Sequence, residues 1–144
     1  MVIEKMEVTS CKSVAEIEKL CFSTPWSKAS LENEFNLSYA HYFCVKEQNQ
    51  VVAYVGVHNI CQEGEITTFA VHPAHRRKGF GYRLLKELIS YEKKQGIKLL
   101  NLEVRQGNIP AVSLYEGLGF EKVGVRKGYY QNPTEDGILM TLHL

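Results

Sequence analysis

Residues 66–89 of the chain read Ile66-Thr-Thr-Phe-Ala-Val-His-Pro-Ala-His-Arg-Arg-Lys-Gly-Phe-Gly-Tyr-Arg-Leu-Leu-Lys-Glu-Leu-Ile89. Ile66 to Val71 is rich in β-branched and aromatic residues, which favours a strand. Pro73 ends that strand because it has no N–H group for the sheet. The next apolar residues recur at helical spacing and mark one face of a helix: Leu84, Leu85, Leu88 and Ile89. The stretch therefore predicts a strand, a basic loop and a helix.

The loop between that strand and that helix has the spacing R-x-x-G-x-G, from Arg76 to Gly81. Glycines at 79 and 81 let a ligand approach the backbone closely. Free N–H groups at the helix start, together with the basic side chains, favour a phosphate group. The spacing matches neither the Walker pattern, since no Lys-Ser or Lys-Thr follows Gly81, nor the Rossmann pattern, since Leu84 replaces the third glycine. By itself, the loop is equally compatible with a basic surface turn.

The composition predicts one compact domain, residues 1–144, because 44% of the residues are hydrophobic. Seventeen basic and sixteen acidic residues give a net charge of +1, which argues against a general nucleic-acid-binding or membrane-binding protein. The N-terminus alternates apolar and charged residues, unlike a signal peptide, and no apolar run approaches transmembrane length. We therefore expect a cytoplasmic protein.

The cysteines form no C-x-x-C pair and have no histidine at ligand spacing, so no zinc site and no redox motif are indicated. We expect reduced, mostly buried thiols at the four positions Cys11, Cys21, Cys44 and Cys61. His72 and His75 flank the basic loop, where they could cap the backbone or touch a phosphate.

The first third of the chain predicts an edge strand and two helices. Val2 to Val8 is the strand, and Ser13 with Glu16 forms an S-x-x-E capping box that opens the first helix. Pro25 breaks that helix, and Ser27 is placed to cap the second one.

The middle of the chain predicts three further strands. His41 to Lys46 and Gln50 to Asn59 are joined by three polar residues and predict a hairpin. Gly96 is placed to end the central helix. In the next strand, Lys98 to Arg105, the leucines and the valine point one way and Glu103 points the other.

The last third predicts a helix and two strands. Asn108 and Pro110 open the helix. Val123 to Val125 starts a strand, and residues Lys127 to Gly137 are rich in turn formers and predict a loop. The alternating apolar residues of Ile138 to Leu144 predict the final strand.

Several short motifs accompany the glycine loop in a fixed order: Thr24-Pro25-Trp26-Ser27, Leu102-Glu103-Val104-Arg105, Asn108, Leu114-Tyr115-Glu116, Gly119-Phe120, and Arg126-Lys127-Gly128-Tyr129-Tyr130 followed by Glu135-Asp136. Together they resemble the GCN5-related N-acetyltransferase (GNAT) superfamily and, within it, the bacterial ribosomal-protein-alanine N-acetyltransferases of the RimI type. The resemblance covers essentially the whole chain. It implies an α/β (α+β) domain with a mixed sheet, flanking helices and two splayed central parallel strands, 66–71 and 98–104.

The resemblance also implies acetyl-CoA as the co-substrate and no metal. Its pantetheine arm would lie between the splayed strands and pair with the backbone of residues Phe69, Ala70 and Val71. Its pyrophosphate would lie on the loop residues Arg76, Arg77, Lys78, Gly79, Phe80, Gly81 and Tyr82. Asn108 would bind near the thioester, although it is equally suited to cap the helix that it opens.

Acyl transfer to an amine requires a base for the ammonium proton and an acid for the leaving thiolate. The resemblance implies Glu103 as the base and Tyr115 as the acid. From the residues alone, Glu103 suits a solvated carboxylate or a partner of Arg105, and Tyr115 suits the core. A lysine amine, with a pKa of about 10.4, is roughly 3 kcal/mol harder to neutralise at pH 7 than an N-terminal amine with a pKa of about 8. An N-terminal acceptor is therefore favoured.

The resemblance implies that the acceptor is the N-terminal alanine of the eighteenth protein of the small ribosomal subunit. Trp26, Tyr129 and Tyr130 would form the walls of its groove, with a plain core position as the alternative for Trp26. Glu135 and Asp136 could attract the basic tail of that acceptor.

Other functions stay open from the sequence. The same cofactor site could serve lysine side chains or a small amine, the chain could sense acetyl-CoA without turnover, or the basic residues around the loop could bind nucleic acid. The oligomeric state is also open. Two positions depart from the family pattern: Arg76 stands where many members have glutamine, and Gly137 stands where relatives often have alanine.

Overall fold

The computed structural model describes residues 1–144, which form seven strands and four helices. The strands are β1 (Val2–Lys5), β2 (Ala40–Glu47), β3 (Gln50–Ile60), β4 (Glu63–Val71), β5 (Leu99–Arg105), β6 (Glu121–Tyr130) and β7 (Glu135–His143). The helices are α1 (Cys11–Cys21), α2 (Lys28–Glu34), α3 (Phe80–Lys94) and α4 (Ile109–Gly117). Short 3-10 turns occupy Val8–Ser10 and Pro73–His75.

All seven strands belong to one sheet in the order β1-β2-β3-β4-β5-β7-β6. Every neighbouring pair is antiparallel except β4 and β5, which are parallel. The mixed sheet with helices on both faces confirms the predicted α/β fold class. Parallel neighbours need a long connection between them, and α3 supplies it.

The helices cover the two faces of the sheet with two separate apolar cores. Leu84 and Leu88 of α3 and Val112 of α4 pack on one face with Leu100 and Leu102 of β5 in a cluster of 19 buried residues. Helices α1 and α2 pack on the other face in a cluster of 10 buried residues. Side chains that point off opposite faces of β4 and β5 therefore enter different surroundings.

The two central strands pair over only three residues. Glu63, Gly64 and Glu65 of β4 lie opposite Leu99, Leu100 and Asn101 of β5, and beyond these pairs the strands diverge. Both strands continue, β4 to Val71 and β5 to Arg105. This confirms the predicted splay, and a wedge-shaped gap opens between the two carboxyl ends.

The helix ends confirm three of the predicted signals. The backbone N–H of Ser30 donates to the Ser27 hydroxyl at 3.0 Å, so Ser27 caps α2. Asn108 accepts from the N–H of Ala111 at 3.3 Å and caps α4. Gly96 follows α3 with φ +81°, the left-handed conformation that suits glycine after a helix.

The predicted capping box at the start of the first helix is wrong. Helix α1 begins at Cys11, so Ser13 lies inside its first turn. The reason is that the 3-10 turn Val8–Ser10 runs directly into α1 and begins the helical path earlier. The same turn shortens the first strand, which ends at Lys5 instead of Val8.

The predicted long loop Lys127 to Gly137 is also wrong, because β6 continues to Tyr130 and β7 begins at Glu135. Strand β6 forms one edge of the sheet and is exposed along most of its length. Its polar residues therefore carry no alternating pattern that would mark it as a strand. Strand β4 also starts earlier than predicted, at Glu63 instead of Ile66, where the apolar run begins.

A buried carboxyl group of α3 lies against the closed end of the gap. Glu92 is fully buried, and its Oε1 accepts from Asn59 Nδ2 at 2.8 Å. Glu92 Oε2 and Asn59 Oδ1 are both buried without a partner. A Cβ added to Gly64 would lie 2.8 Å from the first oxygen and 2.9 Å from the second, so both face the same point. One proton on Glu92 would let these oxygens bond to each other.

Burial raises the pKa of Glu92, and the hydrogen bond from Asn59 opposes that shift in part. A pKa raised in the folded state stabilises the protein below the unfolded pKa of about 4.3, and this contribution is lost as pH rises through the folded pKa. At neutral pH, the folded protein must either hold this proton or leave a charge unpaired in the core.

We expect Glu92→Gln to raise stability at neutral pH, because glutamine makes both hydrogen bonds with Asn59 without a titrating proton. The gain should be about 1–3 kcal/mol, the usual cost of a buried unsatisfied polar group, and it should shrink towards about pH 4. Urea unfolding at the two ends of this pH range measures it. Glu87→Gln, on the exposed face of α3, is the matched control and should change little. A loss of stability for Glu92→Gln at both pH values would contradict the assignment.

Candidate functional site

The gap between β4 and β5 is lined by backbone groups that no strand satisfies. His72 donates its N–H to Val52 O on β3 at 2.7 Å. Because hydrogen-bonded and non-hydrogen-bonded pairs alternate in an antiparallel ladder, Val71 and Phe69 turn their N–H and C=O groups away from β3 and into the gap. Ala70 turns its groups towards β3. Of the three residues predicted to pair with pantetheine, Phe69 and the N–H of Val71 thus face the gap, whereas the Val71 C=O accepts from Arg76 and Ala70 faces β3.

The side chain of Arg76 folds back onto the end of β4. Its Nε donates to Val71 O at 3.1 Å, and its Nη2 lies 3.3 Å from Cys21 Sγ. These contacts leave the Arg76 backbone, rather than its guanidinium, for a phosphate. Arg77 and Lys78 are exposed and form no ion pair. The side chains of Arg77 and Lys78 are thus free to bind an anion.

The loop leads into a helix start that no side chain caps. Gly79 is the N-cap of α3 with φ +80°, and the first helical hydrogen bond runs from Arg83 N to Gly79 O at 3.1 Å. The N–H groups of residues Phe80, Gly81 and Tyr82 therefore have no acceptor within the helix. Helices α2 and α4 have Ser27 and Asn108 at this position. The start of α3 is open to an anionic ligand.

The two glycines of the loop have different roles. A Cβ on Gly79 would meet nothing within 4 Å, so its surroundings are open to a ligand. A Cβ on Gly81 would lie 3.0 Å from the Phe69 ring and 3.2 Å from Val71 Cγ2, so Gly81 lets α3 approach the wall of the gap closely. The unpaired edge of β4, the narrow wall of the gap at Gly81 and the uncapped start of α3 thus lie next to one another. This arrangement fits the amides and the pyrophosphate of acetyl-CoA.

Glu103 points off β5 towards the face of the sheet that α1 and α2 cover, as its alternation with the buried Leu102 predicts. Its side chain is 14% exposed. Oε1 lies 3.6 Å from Arg126 Nε, and Oε2 is buried without any hydrogen-bond partner. Arg105, the partner expected from the sequence, bonds instead to Glu135 at 3.2 Å. One oxygen of Glu103 thus lies near a cation, and the other has no partner.

Tyr115 lies on α4 and on the opposite face of the sheet. Its ring packs against Phe69, with centroids 6.1 Å apart, and against Phe120 at 5.7 Å. It is 6% exposed, and burial raises the pKa of its hydroxyl group, with a smaller contribution from Tyr130. Tyr115 is therefore a core residue, as the sequence alone suggested, and it also reaches the gap through Phe69. Its role as an acid stays a prediction.

Tyr129 and Tyr130 stand side by side near Glu103, with perpendicular rings 5.0 Å apart. Burial and the negative charge of Glu103 raise the pKa of Tyr130 to about 12. Arg105 lies over the ring of Tyr130 at 4.7 Å, and Arg126 lies over that of Tyr129 at 5.4 Å. The structure thus brings both tyrosines to the predicted base.

Trp26 lies in the connection between α1 and α2. Its side chain is half-buried and packs against the core beneath these helices. Its backbone N–H donates to Glu18 Oε1 at 2.9 Å. Glu18 is buried and also accepts from the hydroxyl groups of Tyr54 and Thr68. Glu18 escaped the sequence analysis, although a carboxylate on the apolar face of a helix is the signal that could have revealed it.

Two acidic residues expected to attract a basic acceptor are bound within the chain. Glu135 accepts from Arg105 and, through Oε2, from the N–H of Gly107 at 2.6 Å. Asp136 accepts from the N–H of Gly128 at 2.8 Å. These contacts order the connection between β6 and β7, and Arg105 offsets the charge of Glu135.

A third acidic residue, Glu65, was missed by sequence reasoning and lies near the predicted base. It occupies the last β4 position that pairs with β5, on the same face of the sheet as Glu103. Partial burial of its carboxyl group and the charge of Glu103 raise its pKa. It forms no ion pair. The strand pattern gave no hint of it, because the apolar run of β4 begins one residue later.

The structure contains no group of three or more His, Cys, Asp or Glu side chains arranged to hold a metal ion. None of the helices combines the length and the apolar composition needed to cross a membrane. All four cysteines are free: Cys11 and Cys44 are buried, Cys21 is half-buried and Cys61 is exposed.

Comparisons with known proteins agree with this geometry. The model of the acetyltransferase (GNAT) family matches residues 11–120. A ribosomal protein bS18-alanine N-acetyltransferase from Haemophilus ducreyi is 35% identical over 132 residues, which cover 90% of this chain and 90% of the relative.

Solved structures give the same result. The crystal structure of the ribosomal-protein-S18-alanine N-acetyltransferase from Escherichia coli has a TM-score of 0.91 at 30% identity and covers 99% of this chain and 92% of its own. NAA60 from Arabidopsis thaliana, in complex with acetyl-CoA, shares the fold with a TM-score of 0.88 at 15% identity, over 99% and 98% of the two chains.

We expect Gly79→Ala to weaken acetyl-CoA binding by roughly tenfold or more, about 1.4 kcal/mol, because the new Cβ would occupy the open space at the start of α3. Isothermal titration with coenzyme A measures the affinity. Gly96→Ala is the matched control, since Gly96 has φ +81° and also no atom within 4 Å of an added Cβ. Both variants should lose about 1–2 kcal/mol of stability from the left-handed conformation. Equal affinities for coenzyme A in the two variants would contradict the assignment of the loop.

Proposed function

The chain belongs to the acetyltransferase (GNAT) family, and we propose that it transfers the acetyl group of acetyl-CoA to the N-terminal amine of an alanine in ribosomal protein bS18. The relatives from Haemophilus ducreyi and Escherichia coli carry that activity in their names. The observation that carries the proposal is the free, buried Oε2 of Glu103 beside the gap between β4 and β5. Residues 1–144 would act as one catalytic domain, in the cytoplasm where ribosomes are assembled.

Glu103 is the proposed base. Its Oε1 faces Arg126 at 3.6 Å, and its buried Oε2 has no competing donor. A carboxylate in this position can accept a proton from the acceptor ammonium directly or through one water molecule. An α-amino group with a pKa of about 8 gives up that proton far more readily than a lysine with a pKa of about 10.4.

Tyr115 is the proposed acid. When bound, acetyl-CoA supplies an acetyl thioester whose sulfur leaves as a thiolate and needs a proton. Burial raises the pKa of Tyr115, so its hydroxyl group keeps its proton at neutral pH and holds it at the wall of the gap. The shift makes Tyr115 a weaker acid than a free tyrosine. Burial raises the pKa of a thiol in the same way, which keeps the two groups comparable.

The acceptor would reach Glu103 between Trp26 and the pair Tyr129 and Tyr130. Tyr129 is 48% exposed, and Trp26 is half-buried, so both offer apolar surface to a peptide. Glu65 lies beside Glu103 and forms no ion pair, so it suits a cationic acceptor better than Glu135, which pairs with Arg105.

We expect Glu103→Gln to lower kcat by about 10²- to 10⁴-fold at neutral pH, the usual range for the loss of a general base, with unchanged affinity for coenzyme A. Tyr115→Phe should also lower kcat, because it keeps the packing of the ring and removes the proton donor. Thiol release in the presence of an alanine peptide measures turnover. Glu63→Gln, an exposed change on β4, is the control and should leave the rate unchanged. Turnover of Glu103→Gln at the wild-type rate would exclude Glu103 as the base.

We also expect a peptide that begins with alanine and continues with arginines to be acetylated on its α-amine. Tandem mass spectrometry locates the acetyl group on each product. The comparison peptide has the same sequence with its α-amine blocked and an internal lysine supplied, and it should react far more slowly because its amine is roughly 3 kcal/mol harder to neutralise. Preferential reaction of the lysine would reject the N-terminal acceptor and leave a lysine acetyltransferase.

A further inference from the structure

We propose that Arg105 is a specificity-determining positioning residue, which fixes the width of the acceptor groove by holding the two segments that form its walls. The proposal rests on the function proposed above. One wall belongs to the α1–α2 connection, residues 22–27, which carries Trp26. The other belongs to the end of β6 and the turn that follows, residues 129–134, which carry Tyr129 and Tyr130.

The guanidinium of Arg105 bonds to both segments. Nη1 donates to Pro133 O at 2.9 Å and to Glu135 Oε1 at 3.2 Å. Nη2 donates to Gln131 O at 2.7 Å and to Ser23 Oγ at 3.2 Å. The other hydrogen bond between the two segments, from Ser23 Oγ to Gln131 O, is long at 3.5 Å. Arg105 is therefore the main polar link across the groove.

The same guanidinium also fixes a wall residue directly. It lies over the Tyr130 ring at 4.7 Å from the centroid, within the range of a cation–π contact. Because the side chain of Arg105 is only 25% exposed, these contacts are partly shielded from water. Tyr130 is thus held between Arg105 and the strand beneath it.

That strand position is Gly137, which lies opposite Arg105 of β5 and opposite Arg126 of β6. A Cβ on Gly137 would lie 3.2 Å from Tyr130 Cε2 and 3.3 Å from Tyr129 Cδ2. The rings therefore rest against the backbone of β7 with no room to spare. The absence of a side chain at Gly137 thus lets both rings lie back against β7, while Arg105 ties the segment that carries them to the α1–α2 connection.

This set of contacts requires the planar guanidinium group of arginine. Arginine supplies five N–H donors in one plane and stacks on an aromatic ring, whereas lysine has one compact ammonium group. A lysine at this position would keep the charge and the pairing with Glu135 but could not reach Ser23, Gln131 and Tyr130 together. The two walls would then be free to move apart.

The test compares two acceptor peptides that differ only in the first residue, alanine or leucine. For Arg105→Lys we expect KM for the alanine peptide to rise about 10- to 100-fold, the scale of a misplaced acceptor, while the affinity for coenzyme A stays unchanged. The preference for alanine over leucine, as a ratio of kcat/KM values, should fall. Arg83→Lys is the control, because the Arg83 side chain is exposed and its hydrogen bond goes to the Met1 sulfur.

Gly137→Ala tests the same groove from the opposite direction. Its methyl group would push both tyrosine rings towards the acceptor, so the preference for alanine over leucine should rise. A change at Arg105 that only weakened the fold would lower kcat/KM for both peptides by one factor. Such a uniform change, or an unchanged ratio in both variants, would overturn the proposal.

Failure of the underlying function gives a different result. If the unchanged protein acetylated neither α-amine, the N-terminal acceptor itself would be wrong, and the assignment of Arg105 would fall with it. If both α-amines were acetylated at the same ratio by the unchanged protein and by Arg105→Lys, only the role of Arg105 would be rejected.

Discussion

The site depends on the place where β4 and β5 stop pairing. Two parallel strands that separate after three residue pairs leave backbone N–H and C=O groups without partners, and such groups are costly to bury unsatisfied. A ligand with amide groups satisfies them in the manner of an added strand. The same divergence brings the gap close to the uncapped start of α3, because only residues 72–79 connect the end of β4 to that helix.

A sheet opened at its centre needs to be held elsewhere, and three buried carboxyl groups contribute to this. Glu18 of α1, Glu34 of α2 and Glu92 of α3 are each at most 5% exposed. Each bonds to a residue of β3: Glu18 to Tyr54, Glu34 to His58 at 2.6 Å, and Glu92 to Asn59. Strand β3 is thus the common anchor of the helices on both faces. Breaking one such contact would leave a buried polar group unpaired, which is strongly destabilising.

Local signals in the sequence predicted much of the fold, because they act over a few residues. Ser27 and Asn108 each accept from an N–H group only three residues later in the helix that they cap. The alternation of β5 likewise places Glu103 off the core. The S-x-x-E pattern at Ser13 failed because it also occurs inside a helix whose start is set by preceding residues. The partner of Arg105 could not be predicted from local sequence, because Glu135 is 30 residues away along the chain. The two residues meet only because β7 lies beside β5 in the sheet.

Glu103 and Tyr115 lie on opposite faces of the sheet, and the gap between β4 and β5 connects these two faces. This placement bears on the order of events in a catalytic cycle. Two substrates that approach a common point from opposite sides do not compete for one entrance, so both can be present at once. On the proposed function, both substrates then bind before any product leaves, and no side chain has to carry the acetyl group between two half-reactions. The divided sheet thereby favours a sequential kinetic mechanism over a ping-pong one.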